Sequence, residues 1–145
     1  MTPAEALPRI RAALDAGRPC RLVVTGTSML PFLRDRQDAV ILVPPGNSFQ
    51  RGDILFYLRS PQVCILHRVH SVRSDGVLLL CGDAQLHLEP IHPSQVIARV
   101  SQVERGGKLT DCGKLRLRLP VLLWQLLRPV RPYALAALSR LHIIP

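Results

Sequence analysis

The chain has 145 residues, of which 48% are hydrophobic, and a formal net charge of +9. This length and composition are typical of one globular domain with its own core, and they exclude a disordered chain. The positive charge comes almost entirely from arginines that are scattered along the sequence, without a zinc-finger spacing or a basic stripe with interleaved aromatic residues, so we expect no nucleic-acid partner.

The cysteines give information about the compartment. Cys20, Cys64, Cys81 and Cys112 are far apart and form no CxxC pair, which favours free thiols in a reducing environment. The first residues lack the basic and apolar regions of a secretory leader. The longest uncharged segment near the C-terminus, 119–127, is too short to span a bilayer. We therefore expect a cytoplasmic protein, or one at the periphery of a membrane.

A short amphipathic helix is predicted at the N-terminus. Thr2 can cap this helix, Pro3 suits its first turn, and Gly17 is expected to end it. Apolar residues recur on one of its faces: Leu7, Ile10, Ala13 and Leu14. We expect the helix to pack on the domain.

The region from residue 21 to residue 103 has the patterns of β-strands separated by turns. The predicted strands are 21–24, 39–43, 54–58, 63–72, 77–81 and 96–103. Pro90 and Pro93 mark a predicted loop, and residues 105–108 form a predicted hairpin turn. Short strands joined by turns indicate a mainly β fold, in which a coiled antiparallel sheet curls towards a barrel.

The composition changes after Gly113. Residues 121–127 and 133–141 are apolar and compatible with helices, and they are divided by prolines: Pro120, Pro129 and Pro132. We therefore predict a β domain with its N-terminal helix at 1–113 and a helical, apolar and basic tail at 114–145. Such a tail suits contact with an anionic membrane surface, and packing on the sheet or on a second subunit is the alternative.

Ser28 lies in a corner between the first predicted strand and the next segment. Gly26 permits a turn there, and Pro31 ends regular strand pairing. A serine in such a corner can present its hydroxyl away from the core, as a nucleophile requires. The same residue types also dominate ordinary turns.

A nucleophilic serine needs a base, and lysine or histidine are the usual residues. No lysine precedes Lys108, which excludes a serine–lysine dyad in the central strands. His67 lies within the long apolar strand, and Asp83 follows the next strand. Ser28, His67 and Asp83 can form a triad on neighbouring strands, although a lone histidine in a strand is more often structural.

His87 and His92 flank Glu89 in a loop that contains proline. Two histidines at this spacing are more often exposed residues than metal ligands. We expect neither a metal ion nor a cofactor.

Five segments occur in the order and rough spacing of a known family. They are Gly-Thr-Ser-Met-Leu-Pro-Phe-Leu (26–33), Asp-Ala-Val (38–40), Gly-Asp-Ile-Leu-Phe (52–56), His-Arg-Val (67–69) and Gly-Asp (82–83). Together they resemble the type I signal peptidases and the related self-cleaving, repressor-type serine peptidases, over residues 20–103. The resemblance implies a coiled, mostly antiparallel β fold and a substrate with small side chains near the cut.

The resemblance also implies roles for single residues. Ser28 corresponds to the nucleophile, and His67 stands where the bacterial enzymes have a lysine. This arrangement is similar to the endoplasmic-reticulum and archaeal branch, which uses serine, histidine and aspartate. Asp83 corresponds to the first acidic position of that branch and Glu89 lies near the second, so either acid can orient His67, and we favour Asp83.

Two features depart from the family pattern. Gly26 stands where many members have a hydroxyl residue that stabilises the oxyanion, which leaves the Ser28 backbone N–H and Thr27 as candidate donors. The short amphipathic helix stands where members have a transmembrane anchor, so we do not expect ordinary secretory signal cleavage.

We predict a serine endopeptidase that cleaves a peptide or leader segment bound as an extended strand, through an acyl-enzyme on Ser28. The alternative is a non-catalytic peptide-binding or membrane-surface module with the same fold. A self-cleaving regulator fits less well, because the segment before Arg21 has no room for a DNA-binding domain.

Overall fold

A computed structural model describes residues 3–113 and 115–144. The helices in these ranges are α1 (Pro3–Asp15), α2 (Leu115–Leu126) and α3 (Arg131–Arg140). The strands are β1 (Cys20–Val23), β2 (Asp38–Val43), β3 (Ile54–Ser60), β4 (Val63–Val72), β5 (Leu78–Cys81), β6 (Glu89–Ile91), β7 (Val96–Arg105) and β8 (Lys108–Asp111). The predicted class, mainly antiparallel β with an N-terminal helix and C-terminal helices, is confirmed.

The eight strands form one antiparallel sheet that does not close into a barrel. Its order is β1-β2-β7-β3-β4-β5-β6, with β8 paired to β7. β1 is at one end of this path, so one of its edges has no partner strand in the described chain. β5 pairs with β4 only from Arg68 onwards, so residues 63–67 of β4 pair with β3 alone. The sheet therefore has two edges without a partner strand in the described chain, one on β1 and one on residues 63–67 of β4.

Two apolar clusters lie on opposite faces of the central strands, because side chains alternate along a strand. On β3, Ile54 and Phe56 belong to the first cluster, whereas Leu55 and Tyr57 belong to the second. The alternation continues on β4, where Leu66 packs against the first cluster and Val69 belongs to the second.

Helix α1 packs on the domain as predicted. It buries Ala6, Ile10 and Leu14 in the first cluster and contacts β4 and β1. Gly17 has φ +69° and donates its N–H to the Leu14 carbonyl at 2.9 Å, which is the predicted end of the helix. The predicted cap at Thr2 lies outside the described residues.

Two elements differ from the sequence-based prediction. The segment that we predicted as a loop around Pro90 contains the short strand β6, at the far end of the sheet. Proline is tolerated there because an edge strand has N–H positions that no neighbour needs. Pro120 lies inside α2 instead of ending it, although it lacks a backbone donor. Pro129 lies in the 3-10 helix Arg128–Val130, and Pro132 lies in the first turn of α3.

The C-terminal arm, which we define as residues 115–144, packs on the β domain. Trp124 donates its indole N–H to the Asp83 carbonyl at 2.6 Å, and its ring lies edge-on to Phe32. Arg51 donates to the Gln125 side chain at 2.8 Å. None of the helices in the described ranges combines the length and apolar character that crossing a bilayer would need.

Candidate active site

The Ser28 corner follows β1 and is held by backbone contacts on both sides. Gly26 has φ +84°, and its N–H donates to the Asp35 carboxylate at 2.8 Å. The Ser28 carbonyl accepts the N–H of Ala84 at 2.9 Å. The corner is therefore attached to the loop that follows β5.

Gly82 allows this corner to lie close to the end of β5. A Cβ atom at Gly82 would lie 2.5 Å from the Ser28 carbonyl oxygen. Gly82 directly follows Cys81, the last residue of β5, which pairs with Arg68 of β4. The structure thus packs the Ser28 carbonyl against the residue that follows β5.

We predict that Gly82→Ala displaces the Ser28 corner and lowers the free energy of unfolding by about 1–3 kcal/mol, as overpacking does elsewhere. The Gly82 backbone is not in the left-handed region, so the effect comes from the contact alone. Gly113→Ala is the matched control, because a Cβ there meets no described atom within 4 Å. Urea denaturation measures both variants, and equal stabilities would contradict the contact.

His67 is buried in β4 and belongs to a chain of hydrogen bonds. Its Nδ1 lies 3.2 Å from the Tyr57 hydroxyl, which donates to Glu89 Oε2 at 2.7 Å. Arg59 pairs with the same carboxylate at 2.6 Å. The hydrogen bond from Arg59 lowers the pKa of Glu89, so the carboxylate is charged.

This chain determines which nitrogen of His67 carries the proton. Tyr57 has one hydroxyl proton, and an ionised carboxylate can only accept, so the proton points to Glu89. The Tyr57 oxygen must then accept the Nδ1–H of His67, which leaves the Nε2 lone pair free. Nε2 makes no hydrogen bond within the described chain. An unbonded Nε2 lone pair is what a general base needs.

Burial lowers the pKa of His67 to about 4, because the charged imidazolium is disfavoured away from water. The nearby Glu89 and Asp83 carboxylates raise this pKa and Arg59 lowers it, but burial has the largest effect. His67 is therefore neutral at neutral pH, in the form that accepts a proton.

We predict that the stability of the protein falls as the pH drops from about 6.5 to about 4. In this window the unfolded chain protonates His67 while the folded chain does not, so the unfolded state binds more protons. Denaturation curves against pH should show a smaller loss for His67→Gln. Imidazole NMR, with the same variant to assign the signal, should show that His67 titrates near pH 4. A His67 signal that titrates at 6.5 would contradict the burial argument.

Asp83 makes contacts other than those expected of an orienting acid. Its two carboxylate oxygens accept hydrogen bonds from Arg68, at 2.9 Å from Nε and 2.8 Å from Nη2. Both side chains are buried, and Arg68 also donates to the Gly52 carbonyl at 3.0 Å. Asp83 makes no hydrogen bond to His67 in the described chain, whereas Glu89 contacts His67 through Tyr57. The orienting role of Asp83 stays a prediction, and these contacts favour Glu89 for it.

The Ser28 hydroxyl and the His67 imidazole are not joined by a hydrogen bond in the described chain. Ser28 is half-buried, and within the described residues its hydroxyl makes no hydrogen bond, to His67 or to any other group. The hydroxyl is open to solvent. Catalytic hydrogen bonds are often long in the absence of substrate and tighten when it binds.

Two donors beside Ser28 are unpaired. Neither the Ser28 backbone N–H nor the Thr27 hydroxyl makes a hydrogen bond among the residues that the structure describes. Thr27 is exposed at the surface. Both groups are therefore free to receive a developing oxyanion.

A cavity of about 90 Å³ adjoins Ser28 and lies between β1 and β4. Leu22 and Val24 line it from one side, Cys64 and Leu66 from the other, and Phe56 also contacts it. Leu22 belongs to β1, and Cys64 and Leu66 belong to the part of β4 that does not pair with β5. The cavity therefore adjoins two strands that each have an edge without a partner strand in the described part of the chain. Unpaired N–H and C=O groups along such edges can bind an extended peptide.

The other marked residues have structural contacts. His92 caps the 3-10 helix Pro93–Gln95, where its Nδ1 accepts the Ser94 N–H. No group of three His, Cys, Asp or Glu side chains in the described ranges is placed to hold a metal ion. Burial raises the pKa of Asp38, but hydrogen bonds from Arg34 and Arg105 outweigh it and hold the pKa at about 2. The four cysteines are unpaired.

Tyr57 and Arg59 are functional candidates that the sequence reasoning missed. The sequence contained one signal for Tyr57: it lies inside an apolar strand, and a buried tyrosine hydroxyl normally needs a hydrogen-bond partner. The residue that would serve as that partner, Glu89, lies 32 positions away. In the comparisons with known proteins, no protein family, no curated protein and no solved structure matches this chain.

Proposed function

We propose that this protein is a serine endopeptidase of the signal peptidase-like type. The main support for the proposal is the chain of hydrogen bonds from His67 through Tyr57 to Glu89. It leaves a neutral imidazole whose Nε2 makes no hydrogen bond in the described chain, and the Ser28 hydroxyl is likewise unbonded there.

In the proposed mechanism, Ser28 Oγ attacks the scissile carbonyl carbon while His67 Nε2 takes the hydroxyl proton. The imidazolium keeps its Nδ1–H on Tyr57, and the charged Glu89 stabilises it through the tyrosine hydroxyl. The Ser28 backbone N–H and the Thr27 hydroxyl donate to the oxyanion. His67 then gives its proton to the leaving amine. In the second half, His67 takes a proton from a water molecule that attacks the acyl carbon, and it returns this proton to Ser28 Oγ as the bond to the acyl group breaks and the carboxylic acid product leaves.

The proposed substrate is an extended peptide that pairs with the free edges of β1 and β4. Its backbone would supply the missing strand, and the side chain next to the cut would enter the cavity of about 90 Å³ beside Ser28. Because this space is small and lined by apolar groups, we expect small apolar side chains at that position.

A non-catalytic peptide-binding module is the second candidate. The observation that favours it is the absence of a hydrogen bond between the Ser28 hydroxyl and His67 in the described chain. The same cleft and strand edges would then hold a peptide without cutting it.

Incubation with a peptide library, followed by mass spectrometry of the products, separates the two candidates. We expect cleavage that Ser28→Ala and His67→Ala each reduce by at least about 10³-fold. Ser74→Ala and His87→Ala replace exposed residues of the same types and should cleave like the wild-type protein.

Peptides that bind the cleft without being cut would favour the second candidate. Cleavage by Ser28→Ala at the wild-type rate would exclude the proposed nucleophile.

A further inference from the structure

The C-terminal arm has an inner side that fixes it to the β domain. Val121, Trp124 and Gln125 are buried on one side of α2, and Trp124 bonds to the Asp83 carbonyl. Arg131 at the start of α3 is only 2% exposed, and its guanidinium donates to the Gln85 carbonyl at 2.7 Å. The arm is therefore held in one orientation, and its opposite side is consistently presented outwards.

That outer side concentrates the exposed apolar surface of the molecule. Of the fourteen large hydrophobic residues that are exposed in the described chain, nine lie between Leu119 and Ile143. On α2, Leu119, Leu123 and Leu126 recur at helical spacing, with Leu126 72% exposed. Tyr133 on α3 is 78% exposed. A concentration of exposed apolar side chains of this kind indicates an interaction site.

The charge of the arm indicates what covers this surface. From Cys112 to the end of the sequence there is no aspartate or glutamate. The basic residues in the same stretch are Lys114, Arg116, Arg118, Arg128, Arg131 and Arg140. Arg131 is buried against the β domain and Arg128 donates to the Leu86 carbonyl, whereas Arg140 is exposed. An apolar face in a purely cationic segment complements an anionic lipid surface, with tyrosine at the headgroup level.

A second copy of the chain is a poorer occupant. A symmetric dimer through this face would bring two arms of the same positive charge together, without acidic partners from the arm itself. We therefore propose that the outer face of the C-terminal arm docks the protein on an anionic membrane surface. This proposal does not depend on the peptidase assignment.

Docking through the arm would place the candidate site beside the membrane. The inner side of the arm holds the loop 82–85 through Trp124 and Arg131. The same loop holds the Ser28 carbonyl through Ala84. A membrane-bound arm would thus keep the Ser28 corner attached to an element that lies on the bilayer surface.

Flotation with lipid vesicles tests the docking surface on the full chain. We expect the protein to float with vesicles of phosphatidylcholine and phosphatidylglycerol, to float far less with phosphatidylcholine alone, and to release in high salt. Leu126→Glu and Tyr133→Glu should each lower the partition coefficient by about tenfold or more. Leu109→Glu replaces an exposed apolar residue of β8 and should bind like the wild-type chain.

Four results would overturn the proposal: no binding to anionic vesicles, equal binding to neutral ones, the same loss for Leu109→Glu, or no loss for the two arm variants. A dimer in sedimentation that Leu126→Glu dissociates, without vesicle binding, would instead assign the face to a second copy. Circular dichroism confirms that each variant is folded before it is compared.

Discussion

An Asp83→Asn variant is expected to lose about 3–5 kcal/mol of the free energy of unfolding, the usual cost of removing one partner of a buried ion pair. Arg68 and Asp83 are 7% and 2% exposed, and they share two hydrogen bonds. Without the carboxylate, the Arg68 charge stays buried and uncompensated. Urea denaturation at neutral pH measures the loss.

Two further variants make this prediction specific. Arg68→Met combined with Asp83→Leu removes both charges and should recover most of the lost stability. Glu104→Gln breaks the exposed pair with Arg21 and should change stability little. An Asp83→Asn variant as stable as the wild-type protein would show that the pair does not brace the fold.

A Tyr57→Phe variant is expected to lower the rate constant of peptide cleavage by about 10²–10⁴-fold, the range that follows when a catalytic histidine loses its orienting partner. The substitution leaves His67 Nδ1 without its acceptor, so neither the tautomer nor the ring orientation is fixed. Arg59 still pairs with Glu89, so the carboxylate stays charged. Steady-state kinetics with the library's best peptide measures the change.

Tyr133→Phe is the matched control, because it removes a hydroxyl from an exposed tyrosine outside the site. Its rate should equal that of the wild-type protein. If instead Tyr57→Phe cleaved normally and folded Asp83→Asn were the slow variant, Asp83 would be the orienting acid and the chain through Tyr57 would have only a structural role.

Much of the sheet was predictable, because its strands are apolar segments bounded by glycine and proline. β4 has the predicted bounds, and the hairpin at Gly106 and Gly107 joins β7 to β8 as predicted. β6 could not be recognised because Pro90 within it is typical of a loop. Its place at the end of the sheet, which permits the proline, depends on strand order and is not visible in the sequence.

The distinction between the two acids also depended on the fold. Consecutive residues of a strand point to opposite faces, so His67 and Arg68 cannot face the same partner. Since Arg68 forms an ion pair with Asp83, that acid lies on the other side of β4 from the His67 ring. The sequence places both acids shortly after β5, and only strand pairing brings Glu89 to Tyr57.

The contact between Ser28 and Gly82 could not be predicted from the sequence either. Sequence reasoning identified the corner and the Gly82-Asp83 break as separate signals. It could not show that the missing side chain at Gly82 provides the space in which the Ser28 carbonyl lies, because that contact joins two loops 54 positions apart in the sequence.

The central claim is that neutral His67 activates Ser28 to form a covalent acyl-enzyme. Acid quenching during turnover of an activated peptide ester, followed by peptide mapping, measures it most directly. The account predicts that the acyl group is found on Ser28 in the wild-type protein and is absent in His67→Ala. Turnover with the acyl group on another residue, or undiminished turnover by Ser28→Ala, would contradict it.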